Sequence, residues 1–372
     1  MKVRSRLAVA GLIFSGVMVA GVLSEGIVRL YANANPTVGE QLRRRDPMAI
    51  LIEPHGDRGY RQRPNKDFRY RNGTVAHSNG QGFRGPEVAI PKPGGTYRII
   101  LLGGSTTHGW QVDDDETIDA FLREVLRASL PQWRIEVVNL AFDGYDSYQV
   151  YERLVTDGLA MEPDLIVVNT GVNDVRNARF RDLEDRDLRT MIWETDLVRL
   201  REERLRGGPS LETRLKHHLL VLRLAGMIRR SVMLPSPGHA PRPIVPNPEA
   251  LEYFSANLAR IQAAAARADV PVLYSTAPSA LLTRFSPTDQ STVAYWIVNA
   301  ATTQAYRDRL SERLRQFVDT QAKAGYPVAY VPHQLEPDMF LDDCHLNSAG
   351  NREMALDFAA AITPFLSGDI PS

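Results

Sequence analysis

The chain contains one cysteine, Cys344, in 372 residues. A single thiol excludes an intrachain disulfide and any cysteine-rich metal site. Neither charge is in excess: 44 basic and 44 acidic side chains leave a formal net charge of zero. No global field therefore draws in nucleic acid or an acidic partner. Lysine is scarce, found only at positions 2, 66, 92, 216 and 323. Arginine supplies the positive charge along the whole chain, so the arginines do not single out a binding surface. No internal repeat is present, which excludes a solenoid. The length suits one large domain with additions, or two modest ones.

Long uncharged runs are also rare, with one exception. After "MKVRSR", Leu7 to Leu23 carries no charge. That run is at the short end of what spans a hydrocarbon core of ~30 Å. Its basic flank (Lys2, Arg4, Arg6) predicts a cytoplasmic N-terminus and an exported remainder. Arg43, Arg44 and Arg45 oppose this but lie about twenty residues further on. The A-x-A pattern Ala32-Asn33-Ala34 sits too far past the run for cleavage, and "SEGIVRL" continues it as a helix. Residues 1–24 are therefore expected to be a single-pass anchor, with the rest extracytoplasmic, in the periplasm or at the cell surface. A cleaved signal peptide is the alternative.

Residues 25–95 are polar and turn-rich. Asn72-Gly73, between short alternating runs, predicts a hairpin. This stretch is expected to be a membrane-proximal extension packed on the main domain, 96–372. There the pattern alternates strand and helix. Apolar strands are predicted at 97–104, 134–141, 164–171, 270–278 and 326–332, and helices at 117–130, 147–159, 248–268, 300–324 and 348–365. Short strands apolar on both sides, separated by helices, indicate an α/β parallel sheet covered on both faces. An insertion at about 175–247 lacks strands. Within it, 213–230 is basic, with Leu211, Leu215, Leu219 and Leu222 on one helical face. It is expected either to cap the domain or to lie on a membrane.

The first strand ends in "RIILLGGSTTHGW", which presents Ser105 after two glycines. A phosphate loop requires Lys and Ser or Thr where the chain has Trp110-Gln111, so its mechanism fails. A nucleophile requires a base, an orienter for that base and oxyanion donors. "LDDCHLNSAG" supplies Asp342 three residues before His345, after the last strand and so at the same carboxyl edge as Ser105. Asp342 can hold the imidazole tautomer that leaves Nε2 free for Ser105; Asp343 is the rival orienter. Oxyanion donors are expected from Ser105 N–H, Gly144 after the second strand, and the Asn173 side chain after the third. His108 is expected to line the pocket or cap its turn, Asp174 to fix the Asn173 loop, and Cys344 to be a small packed side chain. Trp110 and Tyr145 are candidates to shape the acyl or sugar site. His77, His217 and His218 form no metal constellation with carboxylates.

At these residues the chain resembles the SGNH hydrolase superfamily, the GDSL-like esterases. Ser105 in "GGST", Gly144, Asn173 in "GVND" and His345 in "DDCH" match its signature in order. The first block departs from G-D-S, with Gly104 where Asp often stands. The match spans about 97–365 outside the insertion, and "NGQGFRGPE" before "RIILLGGST" resembles membrane-anchored bacterial members. The resemblance implies a flavodoxin-like three-layer sandwich with a five-stranded parallel sheet, and acyl-ester hydrolysis without metal or cofactor. The ordinary α/β-hydrolase elbow wants Gly at the position held by Thr107. The expected substrate is a small acyl ester, with O-acetyl groups on polysaccharide first. An O-acetyltransferase, a lipid or lysophospholipid esterase, and a non-catalytic polymer-binding protein are the alternatives. Nucleic acid is not an expected partner.

Overall fold

The computed structural model describes residues 2–35, 52–55, 58–70, 72–178, 246–287 and 299–366, with 215, 219–222, 224 and 225. The chain divides into two compact units: Met1–Ala49 with Arg199–Ala240, and Ile50–Val198 with Pro241–Ser372.

In the first unit, α1 (Lys2–Ala34) is one helix of 33 residues, about 50 Å long at ~1.5 Å per residue. The uncharged run thus continues through "SEGIVRL" without a break. Its Ser15–Ala34 stretch, of mean hydropathy 1.2, is long and apolar enough to cross a membrane by length and composition. Leu12, Ile13, Val17, Val22, Leu23 and Ile27 are all exposed. Glu25 accepts hydrogen bonds from the Leu220 and Val221 backbone N–H groups at 3.0 and 2.9 Å and from Arg29 Nε at 2.8 Å. Val28, Ala32 and Leu220 pack together beside it. Most of the 175–247 insertion lies outside the described residues; of the expected apolar face, Leu215, Leu219 and Leu222 are described, and Leu215 is exposed.

The second unit is built on β5 (Thr96–Gly103), β6 (Arg134–Asn139), β7 (Leu165–Thr170), β8 (Val272–Thr276) and β9 (Val328–Tyr330). They form one parallel sheet in the order β6-β5-β7-β8-β9. Counted along the chain this is 2-1-3-4-5, the flavodoxin-like order, whose switch point lies between β5 and β7. All eight residues of β5 and all six of β7 are buried, as central strands covered on both faces must be. Ile99, Leu101, Val137 and Val167 face α3 (Ile118–Ser129) and α9 (Ser348–Ile362), against Leu122, Leu126, Met354 and Phe358. Alternation turns Ile100 and Leu102 the other way, toward α4 (Ser147–Arg153), α6 (Ala250–Arg267) and α8 (Ala300–Lys323).

Helix boundaries follow local chemistry. Thr117 caps α3 by accepting from Ala120 N–H, and Asp146 opens α4 with a capping box to Gln149, each worth ~1 kcal/mol. The helix expected over 147–159 ends as α at Arg153 and continues as a π turn and a 3₁₀ turn. Gly158, in the π turn, lies close against β5: a Cβ there would sit 3.0 Å from Ile100 Cδ1.

Two hairpins precede the sheet in the same unit: β1 (Ile52–His55) with β2 (Gly59–Gln62), and β3 (Lys66–Arg69) with β4 (Val75–Ser78). Asn72-Gly73 forms the β3–β4 turn, with Gly73 at φ +96°. The β1–β2 hairpin was not legible in the sequence. Arg84 links Ser78 to Asn139 at the sheet edge through backbone bridges. Its buried guanidinium donates to the carbonyls of Gly109 (2.5 Å), Val112 (2.7 Å) and His108 (3.2 Å) and to Asp114 (2.6 Å).

Candidate active site

Ser105 opens α2 (Ser105–His108), directly after β5, with Gly104 extended before it. Each later residue of this short helix is tied to a different element. Thr106 Oγ1 donates to the Cys344 carbonyl at 3.2 Å, and Thr107 Oγ1 accepts from Asn169 Nδ2 at 3.0 Å. The Thr107 carbonyl accepts from Asn139 Nδ2 at 2.9 Å, and His108 Nδ1 lies 2.9 Å from Asp143 Oδ1. A side chain at Gly103 would run into the Thr107 hydroxyl and, at 2.5 Å, the Asn169 carbonyl. Two glycines therefore let the strand turn tightly into a helix that fixes one hydroxyl at the carboxyl edge.

His345 approaches from the loop before α9. Its Nε2 lies 2.7 Å from Ser105 Oγ, and its Nδ1 lies 2.6 Å from Asp342 Oδ2. Asp342 Oδ1 accepts the backbone N–H groups of Cys344 (2.9 Å) and His345 (2.8 Å). A carboxylate only accepts, so Nδ1 carries the proton and Nε2 is left to accept from the serine. Asp343, the rival orienter, points elsewhere: Arg307 Nη2 of α8 donates to it at 2.8 Å. The Asp343 carbonyl accepts from Ala280 N–H at 3.0 Å, and Arg284 holds the carbonyls of Leu341 (2.7 Å) and Phe340. The loop is thus pinned by two arginines.

Burial opposes the charge on Asp342, but its hydrogen bond to His345, the imidazole's charge and the two N–H groups outweigh it, holding the carboxyl well below the usual range. For His345, burial lowers proton affinity while the Cys344 sulfur and the Asp342 carboxylate raise it, and the net direction is well upward. Burial pushes the Cys344 thiol itself up. It stays uncharged through the neutral range, where Asp342 is the charged partner acting on His345.

Gly144 lies in the turn Phe142–Tyr145 at φ +80°, a conformation that glycine tolerates without strain. Asn173, in α5 (Val172–Asn177), donates from Nδ2 to the Tyr145 carbonyl at 2.9 Å. Asp174 accepts from Ser147 N–H and, at 2.5 Å, from Ser147 Oγ, tying this loop to α4. Ser105 and Asn173 follow β5 and β7, so they flank the switch point where open α/β sheets bind ligands. The half-exposed Trp110 ring lies 5.6 Å from the His345 ring at 30°, with Tyr70 of the β3–β4 turn edge-on at 5.1 Å. Tyr145 turns inward: its hydroxyl donates to the Tyr60 carbonyl.

The family model for GDSL-like lipases and acylhydrolases matches residues 101–353. The chain belongs to this family. It is a carboxylic ester hydrolase. Its fold is similar to that of TesA (15% identity, covering 72% of this chain and 99% of that one, TM-score 0.40). It is also similar to the psychrotrophic esterase EstA of Pseudoalteromonas sp. (12%, 73% and 99%, 0.40) and to a lipase/acylhydrolase of Enterococcus faecalis (14%, 72% and 96%, 0.39). No curated protein matches the sequence.

Within this GDSL-like esterase, the glycine in place of the motif's Asp has a local cause. A Cβ on Gly104 would lie 2.5 Å from Asn173 Nδ2 and 3.2 Å from the Tyr145 carbonyl. The amide of Asn173 thus lies directly over residue 104. Gly104→Ala is expected to push aside the far end of that side chain, at little cost in stability. If Asn173 serves as the expected oxyanion donor, the variant should lower kcat about 10²-fold. Kinetics on a short ester beside a thermal melt check this; an equal loss of Tm would point to misfolding instead.

Among the described residues, Asp342, Cys344 and His345 are the one group of three whose donor atoms lie close enough to share a metal ion. Those atoms already bond one another, Cys344 Sγ lying 3.9 Å from His345 Nδ1. His77 pairs instead with Asp114, and His217 and His218 lie outside the described residues.

Spacing gave no sign of a second Ser-His-Asp array. His333 Nε2 lies 2.7 Å from Ser275 Oγ of β8, and its Nδ1 lies 2.7 Å from Asp357 Oδ2 of α9. Ser275 is fully buried within its strand, and burial lowers the His333 pKa despite Asp357. A nucleophile must meet its substrate; Ser105 is partly exposed at a strand end, and Ser275 is not.

Proposed function

We propose that the protein is an exported, membrane-anchored serine esterase acting on small acyl esters, foremost O-acetyl groups on carbohydrate. The single observation that carries the catalytic part is the continuous hydrogen-bond chain Asp342–His345–Ser105 at the switch point. Ser105 Oγ attacks the acyl carbon as His345 Nε2 takes its proton. Ser105 N–H, Gly144 N–H and the Asn173 amide receive the developing oxyanion. The imidazolium then gives its proton to the departing sugar oxygen, and water, activated by the same imidazole, resolves the acyl-enzyme. Trp110 beside His345 supports a carbohydrate leaving group, since a flat aromatic face suits the apolar face of a sugar ring. The uncharged run 7–23 within the helix Lys2–Ala34 and the basic residues before it support an anchor over 1–24, with 25–95 as the membrane-proximal extension and 96–372 as the catalytic region.

A series of p-nitrophenyl esters from acetyl to long-chain acyl tests the substrate class on the detergent-solubilised chain. Turnover should be highest for acetyl and fall steeply with chain length, and acetylated polysaccharide should release acetate. Preference for long chains would replace this reading with a lipid esterase. Acetyl transfer to added glycan in place of acetate release would replace it with a transferase.

A further inference from the structure

Two buried ionisable side chains sit beside the triad without belonging to it. His108 closes the helix that Ser105 opens, and Asp143 immediately precedes Gly144. Their side chains are 1% and 2% exposed, with Nδ1 and Oδ1 2.9 Å apart. The other polar atom of each, His108 Nε2 and Asp143 Oδ2, is buried without a hydrogen-bond partner. Such a pair is expensive, because apolar residues of similar volume would avoid the desolvation. What an apolar pair lacks is direction. This bond ties the side chain of the residue before Gly144 to the helix that carries Ser105.

The rest of the Gly144 loop is held just as firmly. Tyr60 of β2 donates from its hydroxyl to the Asp143 carbonyl at 2.5 Å, and Tyr145 donates back to the Tyr60 carbonyl at 2.9 Å. Asn173 donates to the Tyr145 carbonyl, and Phe142 packs edge-on against the His108 ring at 5.2 Å. The tyrosine and Asn173 contacts fix the loop to β2 and α5, and Phe142 N–H donates to the Gly103 carbonyl of β5 at 3.1 Å; among the described residues, the His108–Asp143 bond is the polar side-chain link from the loop to the nucleophile's own helix.

We infer that His108 and Asp143 are a positioning pair that sets the oxyanion hole, holding Gly144 N–H in register with Ser105. This rests on the proposed roles of Ser105 and Gly144. An oxyanion donor displaced by a fraction of an ångström stabilises the transition state less while leaving ground-state binding intact.

The test uses His108→Asn and His108→Gln in the full chain, with Ser105→Ala in parallel. An Asn amide nitrogen occupies nearly the place of imidazole Nδ1 and keeps the donor to Asp143; a Gln amide lies at the Nε2 end and loses it. His108→Gln should lower kcat about 10- to 100-fold with KM nearly unchanged. His108→Asn should recover most of that loss at a similar Tm. Equal kcat in the two variants, or losses that track Tm, would overturn the pairing. Should either fail to fold, Asp143→Asn, which keeps an acceptor for His108, is compared with Asp143→Leu, and the pair predicts that only the Leu variant loses kcat at matched Tm. An inactive Ser105→Ala beside a fully active His108→Gln would sink the positioning pair alone. An active Ser105→Ala would sink the catalytic reading beneath it.

Discussion

Ser105→Ala is expected to lower kcat on short esters by on the order of 10⁶, to a residue of activity left by substrate binding and the remaining oxyanion donors. Ser275→Ala is the control that gives this number meaning. Each serine hydroxyl donates to a histidine that is itself bonded to an aspartate, at near-identical distances, so hydrogen-bond geometry alone does not choose between them. Position does. Ser105 stands at the start of a helix at the carboxyl edge, beside Gly144 and Asn173, the proposed oxyanion donors. Ser275 is fully buried in β8, paired with Asn169 of β7 in the sheet. Ser275→Ala is therefore expected to leave kcat within about twofold while removing one buried hydrogen bond, worth ~1 kcal/mol. Steady-state kinetics and melts of the two variants check both halves.

Asp342→Asn is the second large effect, about 10⁴-fold in kcat, because an amide can present its N–H to Nδ1 and favour the wrong tautomer. It also carries a pH signature whose sign follows from the charges. The imidazole works as a base only when neutral; burial lowers its pKa, and the Asp342 hydrogen bond and charge raise it. Activity in the parent is therefore lost as pH falls through the imidazole pKa, giving an acid limb that Asp342 holds at higher pH. Removing the carboxylate removes its share of the stabilisation of the imidazolium. In Asp342→Asn the limb should move to lower pH as the rate drops. A profile of kcat/KM against pH for both proteins measures this; an unmoved limb would mean that Asp342 does not charge-stabilise His345.

Much of this site was legible in the sequence because its chemistry is local. An apolar run stopped by two glycines marks a strand ending at a hydroxyl, and Asp342 three residues before His345 lets one turn close the pair. The five strands were legible for the same reason, being continuously apolar where the sheet is covered on both faces. Local pattern carried less where tertiary contacts decide. The 147–159 helix widens to a π turn after Arg153, with Gly158 close against Ile100 of β5, and nothing in its own periodicity reports that neighbour. The β1–β2 hairpin lacks a two-residue turn signal, yet it supplies Tyr60, which clasps the Gly144 loop. The arginines show the same limit. Arg84, Arg284 and Arg307 read as part of a chain-wide surplus of arginine, whereas each organises backbone carbonyls around the active loops. The three-residue spacing favours Asp342 over Asp343, and the structure adds a reason that sequence does not show: Arg307 arrives from α8 to claim the second carboxylate.

The most direct test of the central claim is covalent labelling of the intact protein with a serine-directed organophosphonate, read by intact mass and peptide mapping. The account predicts one adduct per chain, on Ser105, abolished in Ser105→Ala, kept in Ser275→Ala and slowed in Asp342→Asn. No adduct, or an adduct that persists in Ser105→Ala, would contradict it.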